Sequence, residues 1–286
     1  MPGPDTTDLL AESARVLRDQ GAVALCQIVR IEGSTPGKVG WKMLVRPDGS
    51  AGGNLGGGAF EALVEVDARQ LLERRSREPK VKRYYLTETA VRGEPTGMVC
   101  GGLIEVLIEV LMQQPVLVIC GGGPVGQALA RAAALCSLDI LLAEDRKEYR
   151  QPSLFPPGTV FSPVDRDYEE AFLEPFLQRE ILAAVVTRCW ETDLAAMTSI
   201  LRQAPPHLSY LGLMGSERKI ERVRESLLKR GLETSGLPFF APIGLALGGN
   251  LPAEIAVAVL AEIIQVRAAE KQGENLPHLE YARQSG

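Results

Sequence analysis

One stretch of the chain, residues 115 to 146, constrains the fold most, because strand, turn, helix and strand patterns follow one another there without a gap. Val116 to Cys120 is a continuous apolar, β-branched run, which is typical of a strand buried on both faces of a parallel sheet. An alanine-rich helix is predicted from Pro124 to Cys136. Between them lie three glycines in the G-x-G-x-x-G spacing: Gly121, Gly123 and Gly126.

Each of these glycines has a structural role in a mononucleotide-binding β-α-β unit. Gly121 makes the tight turn, Gly123 lets backbone approach a phosphate, and Gly126 lets the helix pack on the strand. The next predicted strand ends in Glu144 and Asp145, close to the spacing expected for a carboxylate that binds ribose. The sequence therefore predicts a dinucleotide-binding type of fold. The same turn also occurs in proteins of this fold that bind no nucleotide.

The remainder of this half alternates strands and helices, which predicts a parallel α/β sheet. Predicted strands cover Ile181 to Thr187 and Leu208 to Leu213, and a helix covers Glu191 to Arg202. Residues 151 to 163 are interpreted as a proline-rich loop and residues 168 to 178 as a helix. Another helix begins after Gly215 and Ser216, where free N–H groups predict either an anion site or a solvated helix start.

The first half is predicted to be a separate α+β region, with a first helix that begins at Thr7 or Asp8 and several strands. A linker is predicted at residues 112 to 114, which gives two domains, 1–113 and 114–286. Within the first lies a second glycine cluster that opens a helix: Gly56, Gly57 and Gly58. Bare N–H groups in that geometry bind phosphate, whereas a tight turn that needs positive φ angles is the alternative.

Cys100 precedes Gly101 and Gly102, whose backbone donors could stabilise a thiolate. A reactive or metal-binding thiol and an inert small side chain are both consistent with this setting. The five cysteines show no C-x-x-C spacing and there are two histidines, which argues against a disulfide framework, a zinc site and histidine catalysis. Reduced thiols predict a cytoplasmic protein.

Composition excludes several classes of function. Lys plus Arg number 31 against 36 Asp plus Glu, and without a block of like charge a nucleic acid partner is not expected. The apolar stretches are too short or interrupted for a membrane span, and the acidic N-terminus does not resemble a signal peptide. The nearly all-apolar helix predicted over Pro252 to Val266 is expected to be buried between domains or between the two protomers of a homodimer.

The order of motifs resembles the XdhC/CoxI family, accessory proteins for molybdenum hydroxylases such as xanthine dehydrogenase. The resemblance covers most of the chain and rests on these blocks: GSTPGKVGWKMLV, GGNLGGGAFEALV, MVCGGLIEVLIE, LVICGGGPVGQALA with LLAEDR, YLGLMGSERKI and PIGLALGGNLPAEIAVAVLAEII. It implies an N-terminal XdhC/CoxI-type domain followed by a Rossmann-like domain.

The resemblance further implies a non-catalytic chaperone that binds the molybdenum cofactor (molybdopterin), protects it during sulfuration and delivers it to an apo-hydroxylase, with a cysteine desulfurase as a further partner. Gly56, Gly57 and Gly58 would then cradle phosphate, Cys100 would approach molybdenum or sulfur, and the Gly121 turn with Glu144 or Asp145 would hold a nucleotide portion. The alternatives are an NAD(P)-dependent oxidoreductase, which would use the Rossmann half alone, and a structural or regulatory module without a ligand.

The chain also departs from the family. Pro124 stands where a histidine often follows the glycine turn, and Thr187 to Trp190 replaces a His-Asp pair after a later strand. A histidine-dependent step is therefore not expected. Arg188 could pair with a phosphate and Cys189 could offer a second thiol, or both could simply pack at a strand end.

Overall fold

The structure is a computed structural model that describes residues 6–86, 94–95, 102–168 and 173–272. The chain divides into two compact units, Met1–Gln113 and Gln114–Gly286, called the N-terminal and the C-terminal unit below. Cys100 and Gly101 lie outside the described residues, so the structure gives no account of the predicted thiol site.

In its described residues, the N-terminal unit has two helices and a mixed sheet. Its elements are α1 (Thr6–Gln20), β1 (Ala22–Glu32), β2 (Lys42–Val45), β3 (Ala51–Gly53), α2 (Gly58–Glu73), β4 (Lys80–Tyr85), β5 (Glu94–Pro95) and β6 (Leu103–Met112). The strands lie in the order β3-β2-β1-β6-β4-β5, antiparallel except for β4 and β5.

The two helices pack on opposite faces of this sheet, because successive side chains of a strand point to opposite sides. Cys26 and Ile28 of β1 belong to the core that Phe60 of α2 completes. Val23 points the other way and packs with Leu9 of α1. The α+β character predicted for this region is confirmed.

The C-terminal unit is a parallel sheet with helices on both faces. Its elements are β7 (Val116–Cys120), α3 (Pro124–Ala134), β8 (Asp139–Glu144), β9 (Val160–Pro163), β10 (Ile181–Val185), α4 (Trp190–Gln203), β11 (Leu208–Leu213), α5 (Glu217–Leu228), β12 (Phe239–Phe240) and α6 (Pro252–Gln272). All neighbouring strands are parallel, in the order β12-β11-β10-β7-β8-β9.

This strand order has a switch point between β7 and β10. The chain leaves β7 toward β8 and β9 on one side, then returns to β10 on the other side. Helices α3 and α6 cover one face, while α4 and α5 cover the other. In open α/β sheets the ligand crevice lies at the carboxyl ends of the strands that flank such a switch point. The predicted Rossmann-like α/β architecture is confirmed, and it directs attention to the ends of β7 and β10.

Two local predictions in this unit are wrong. Residues 160–163 form the edge strand β9 within the segment interpreted as a loop. The prediction missed this strand because it is short and lies among prolines and a glycine, which are typical of loops. Residues 168–178 do not form a continuous helix: the described part holds a 3₁₀ turn at Glu174–Phe176 that contains Pro175. Helix α6 continues past Val266 to Gln272.

Candidate functional site

The turn between β7 and α3 brings two backbone segments into contact. Gly121 has φ +115°, and its N–H donates to the carbonyl of Ala143 at 2.9 Å. A Cβ added to Gly126 would lie 2.0 Å from the carbonyl oxygen of Gly121, so the helix rests directly on the turn. A Cβ added to Gly123 would meet nothing within 4 Å. The turn is therefore closely packed at Gly126 and open at Gly123.

The N–H groups of this turn divide into engaged and available donors. Gly122 donates to the carboxylate of Glu144, and the side-chain amide of Gln127 donates to the carbonyl of Gly122 at 3.0 Å. Within the described part of the chain, the N–H groups of Gly123, Val125 and Gly126 have no acceptor. Three adjacent donors at a helix N-terminus are suited to an anionic oxygen.

Glu144 at the end of β8 is 1% exposed and fully engaged. One carboxylate oxygen accepts the backbone N–H and the Nε–H of Arg146, both at 2.9 Å, and the other accepts Gly122 and Arg146 Nη2. The guanidinium of Arg146 also lies 4.0 Å from the ring centroid of Tyr149. Glu144 thus holds the glycine turn to β8 in this structure, and its role toward a nucleotide stays a prediction.

Asp145 forms a bidentate ion pair with Arg188, with both oxygen–nitrogen distances at 2.7 Å. Burial would raise the pKa of Asp145, but the hydrogen bonds from Arg188 outweigh it and lower the pKa to about 2. The side chain of Asp145 is 7% exposed and that of Arg188 is 31% exposed. The structure therefore pairs Arg188 with a carboxylate of the chain itself.

A second charged group at this edge has no counterpart in the sequence predictions. Asp193 in the first turn of α4 is fully buried, accepts a hydrogen bond from Thr187 at 2.6 Å, and forms an ion pair with Lys219 of α5. Burial raises the pKa of Asp193, and Lys219 and Thr187 oppose that shift. The pair joins the first turn of α4 to the first turn of α5. Lys219 lies in the block YLGLMGSERKI, but the sequence carried no signal that it pairs with Asp193.

Gly215 and Ser216 lie beside this ion pair. A Cβ at Gly215 would lie 2.9 Å from Cδ of Lys219, whose ammonium also donates to the carbonyl of Met214 at 2.9 Å. Ser216 is the N-cap of α5, but its side chain makes no capping hydrogen bond. The glycine therefore makes room for the lysine stem. The anion-binding role of these two residues stays a prediction.

The described cysteines differ in their access to solvent. Burial raises the pKa of the Cys26 thiol to about 12 and raises the pKa of the Cys120 thiol as well, so neither is a thiolate near neutral pH. Cys136 is exposed, and the sulfur of Cys189 lies 3.3 Å from Oγ1 of Thr192. Across the described ranges, no three His, Cys, Asp or Glu residues are grouped to hold a metal ion.

The glycine cluster of the N-terminal unit also contains a carboxylate of the chain. Glu61 of α2 accepts hydrogen bonds from the N–H groups of Leu55 at 2.5 Å and Gly56 at 3.1 Å. Gly57 and Gly58 have φ values of +82° and +70°, and a Cβ at Gly57 would meet nothing within 4 Å. The N–H of Gly56 also donates to Oδ1 of Asn54 at 2.6 Å, so Glu61 and Asn54 together occupy this donor. The backbone of the next two glycines adopts the positive φ that only glycine takes readily.

Comparison with known families agrees with both units. The model of the XdhC Rossmann domain matches residues 117–263, and the model of the XdhC and CoxI family matches residues 16–85. The chain belongs to the XdhC and CoxI family. The matched ranges contain both glycine clusters and the charged groups at the ends of β8, β10 and β11. Cys100 falls between the two ranges.

Two curated relatives are similar to this family member. YqeB, an uncharacterized protein of Escherichia coli, is 32% identical over 261 residues, which are 91% of this chain and 46% of the relative. A probable xanthine dehydrogenase subunit from Bacillus subtilis is 31% identical over 164 residues, 57% of this chain and 46% of the relative. The chain thus spans about half the length of the curated relatives it matches.

Among solved structures, the crystal structure of a xanthine dehydrogenase from Bacillus halodurans aligns with a TM-score of 0.48 at 19% identity, covering 92% of this chain and 97% of the other. Among the described residues, none of the helices is both long enough and apolar enough to cross a membrane.

Proposed function

We propose that this member of the XdhC and CoxI family is an accessory protein that binds the molybdenum cofactor, holds it during sulfuration and delivers it to a molybdenum hydroxylase such as xanthine dehydrogenase. The observation that carries the proposal is the presence of both family segments, in order, in one chain. The name of the Bacillus subtilis relative, which describes it as a probable part of a xanthine dehydrogenase, supports the same client class.

The residues at the β7–α3 turn suit the phosphate of such a cofactor. The N–H groups of Gly123, Val125 and Gly126 have no acceptor in the described chain, and Gly123 is open on its outer side. When bound, the cofactor supplies a soft metal and a phosphate-bearing pterin, and the chain supplies backbone donors for the phosphate oxygens. The proposed role of the chain is to bind and shield, which requires no covalent step of its own.

The first experiment is equilibrium binding of isolated molybdenum cofactor to the purified protein, with NAD(H) as a parallel ligand. Saturable cofactor binding near one equivalent, without NAD(H) binding, supports the accessory role. Tight NAD(H) binding without cofactor binding would instead support the oxidoreductase. At present no observation favours that alternative, because both carboxylates at the end of β8 are engaged within the protein.

The proposed thiol is Cys100, which would approach molybdenum or its sulfur as a soft ligand. We expect Cys100→Ala to weaken cofactor binding by about tenfold or more, the loss of roughly 1.4 kcal/mol of ligand interaction. The matched control is Cys136→Ala, which removes an exposed thiol from the C-terminal unit. Cofactor affinity and transfer to an apo-hydroxylase that are equal in the two variants would exclude the thiol from the site.

The proposed phosphate cradle at Gly56, Gly57 and Gly58 has a separate test, because Glu61 already accepts two of the neighbouring N–H groups. Removing the carboxylate in Glu61→Ala leaves the N–H of Leu55 unsatisfied, whereas the N–H of Gly56 keeps its hydrogen bond to Asn54, so we expect a loss of stability of about 1–2 kcal/mol. Inorganic phosphate should restore part of it, seen as a larger rise in the thermal midpoint than in wild type. The control is Glu65→Ala, one turn further along α2; equal responses to phosphate in both variants would argue against the cradle.

The partners follow from the same proposal: an apo-hydroxylase, a cysteine desulfurase and a second copy of this chain. The predicted homodimer rests on α6, which packs one face against α3 and the sheet through Val259 and Ile263. Val257 and Ile264 on another side of the helix are exposed apolar residues. These side chains form a candidate contact surface for the proposed dimer. Sedimentation of the purified protein measures its oligomeric state.

A further inference from the structure

In the dinucleotide-binding fold, a carboxylate at the end of the second strand accepts a hydrogen bond from a ribose hydroxyl. The corresponding strand here is β8, and the two carboxylates at its end are Glu144 and Asp145. Glu144 is buried and saturated by Gly122 and Arg146. Asp145 is therefore the carboxylate that could serve a ribose. Its two oxygens are both held by Arg188, while Nε of Arg146, which donates to Glu144, lies 3.9 Å from one of them.

The ion pair spans the crevice at the switch point. Asp145 follows β8 and Arg188 follows β10, and β7 lies between these two strands. Strands two places apart in a sheet are separated by about 10 Å, so the arginine reaches across the carboxyl end of β7. Gly121, which follows β7, contacts the segment that leads to Arg188, because a Cβ on it would be 2.7 Å from the carbonyl oxygen of Val186 and 3.0 Å from Cα of Thr187. The pair thus crosses the place that a ribose would enter.

We propose that Arg188 is an internal competitor for ribose, so that its ion pair with Asp145 keeps the crevice of the C-terminal unit closed to ribose nucleotides until the arginine is displaced. The ligand class that the pair excludes is an adenosine-type nucleotide with a free 2′-hydroxyl group. This inference concerns the nucleotide specificity of the Rossmann unit and does not depend on molybdenum cofactor binding.

The unequal exposure of the two partners indicates which one moves. Asp145 is 7% exposed, whereas Arg188 is 31% exposed and lies on the solvent side of the pair. Asp145 is also adjacent to Glu144, which is fixed to the glycine turn. Displacement by a nucleotide therefore means that the guanidinium swings into solvent while the carboxylate stays in place. A bidentate arginine–carboxylate pair is one of the stronger ion pairs, so the nucleotide must replace its hydrogen bonds to Asp145 to displace Arg188.

The test measures nucleotide affinity in the full-length protein with and without the competitor. We expect Arg188→Gln to bind AMP roughly fivefold or more tightly than wild type, because the carboxylate becomes available to the ribose. The affinity for 2′-deoxy-AMP should not change. The gain should disappear in Arg188→Gln combined with Asp145→Asn, which removes the charge that receives the hydroxyl group.

A matched control is Arg179→Gln, which removes an arginine paired with Asp139 at the opposite end of β8. It lowers the net charge equally without opening the crevice, so AMP affinity should stay at the wild-type value. Arg188→Lys keeps the charge but loses the bidentate geometry and should give an intermediate gain.

Three outcomes would overturn the proposal: equal AMP affinity in the Arg188→Gln and Arg179→Gln variants, a gain that persists with 2′-deoxy-AMP, or no AMP binding to any variant. Thermal unfolding of each variant shows whether it is folded. If Arg188→Gln fails to fold, Arg188→Lys decides the question by the same comparison. The affinity for molybdenum cofactor is measured in parallel. The ion pair can block ribose whether or not the protein binds that cofactor, so this measurement distinguishes failure of this proposal from failure of the proposed function.

Discussion

Replacing Gly126 with alanine is expected to destabilise the C-terminal unit by about 3 kcal/mol, although alanine is the better helix former. The added Cβ would lie 2.0 Å from the carbonyl oxygen of Gly121 and 3.3 Å from a methyl group of Ile119. The first of these is a backbone atom in a turn that is hydrogen-bonded to β8, so it cannot rotate away. Helix α3 would have to separate from β7, and its apolar face would lose contact with the sheet.

The matched variant is Gly123→Ala, which adds one methyl group to the same turn. Gly123 has φ −68° and a Cβ there would meet nothing within 4 Å, so stability should change by less than about 0.5 kcal/mol. Denaturant unfolding of both variants measures the difference. Similar losses in the two would contradict the packing role of Gly126. Because the N–H of Gly123 is one of the proposed phosphate donors, this variant should still bind a phosphate ligand more weakly, since the added methyl group hinders close approach to the turn.

Replacing Lys219 with methionine is expected to destabilise the protein by about 3–5 kcal/mol at pH 7, because it leaves the buried carboxylate of Asp193 without its charge partner. Methionine keeps most of the side-chain volume that packs against Gly215, so the loss reports mainly on charge. The free energy of unfolding in urea measures it. The control is Lys229→Met at the other end of α5, where the side chain is exposed, and this variant should be near wild type.

The stability lost in Lys219→Met should be smaller at low pH than at neutral pH. The pKa of Asp193 is raised in the folded protein, so over the interval between the unfolded and folded pKa values the folded state binds more protons than the unfolded state. The contribution of this group to stability is therefore present at low pH and is lost as pH rises through the raised pKa. Removing Lys219 raises the pKa of Asp193 further. The difference in the free energy of unfolding between the variant and wild type should therefore shrink from pH 7 to pH 5.

A double variant separates the effect of the unpaired charge from the effect of packing. Combining Lys219→Met with Asp193→Asn removes both charges, and we expect it to recover most of the stability lost in the single variant. A double variant no more stable than Lys219→Met alone would show that packing or the Thr187 hydrogen bond, and not the charge, sets the stability at this position.

Much of the fold could be predicted from the sequence because the signals are local. The apolar run of β7, the spacing of Gly121, Gly123 and Gly126, and the following strand specify a β-α-β unit within one short segment. Alternating strands and helices then favour a parallel sheet. Prediction failed where the local signal was weak, at the short, proline-flanked β9 and in residues 168–178, where Pro175 lies in a 3₁₀ turn.

The sequence alone determined the fold class, the position of the glycine turns and the family of this chain. Only the tertiary structure decided which polar groups at those turns are already engaged. Glu61, Glu144 and Asp145 all accept hydrogen bonds from the chain itself, and Arg188 reaches Asp145 across 43 positions of sequence. Helix and strand periodicities describe neighbours along the chain, whereas these pairings depend on the order of strands in the sheet. That order brings the ends of β8 and β10 to the same crevice, and no spacing in the sequence encodes it.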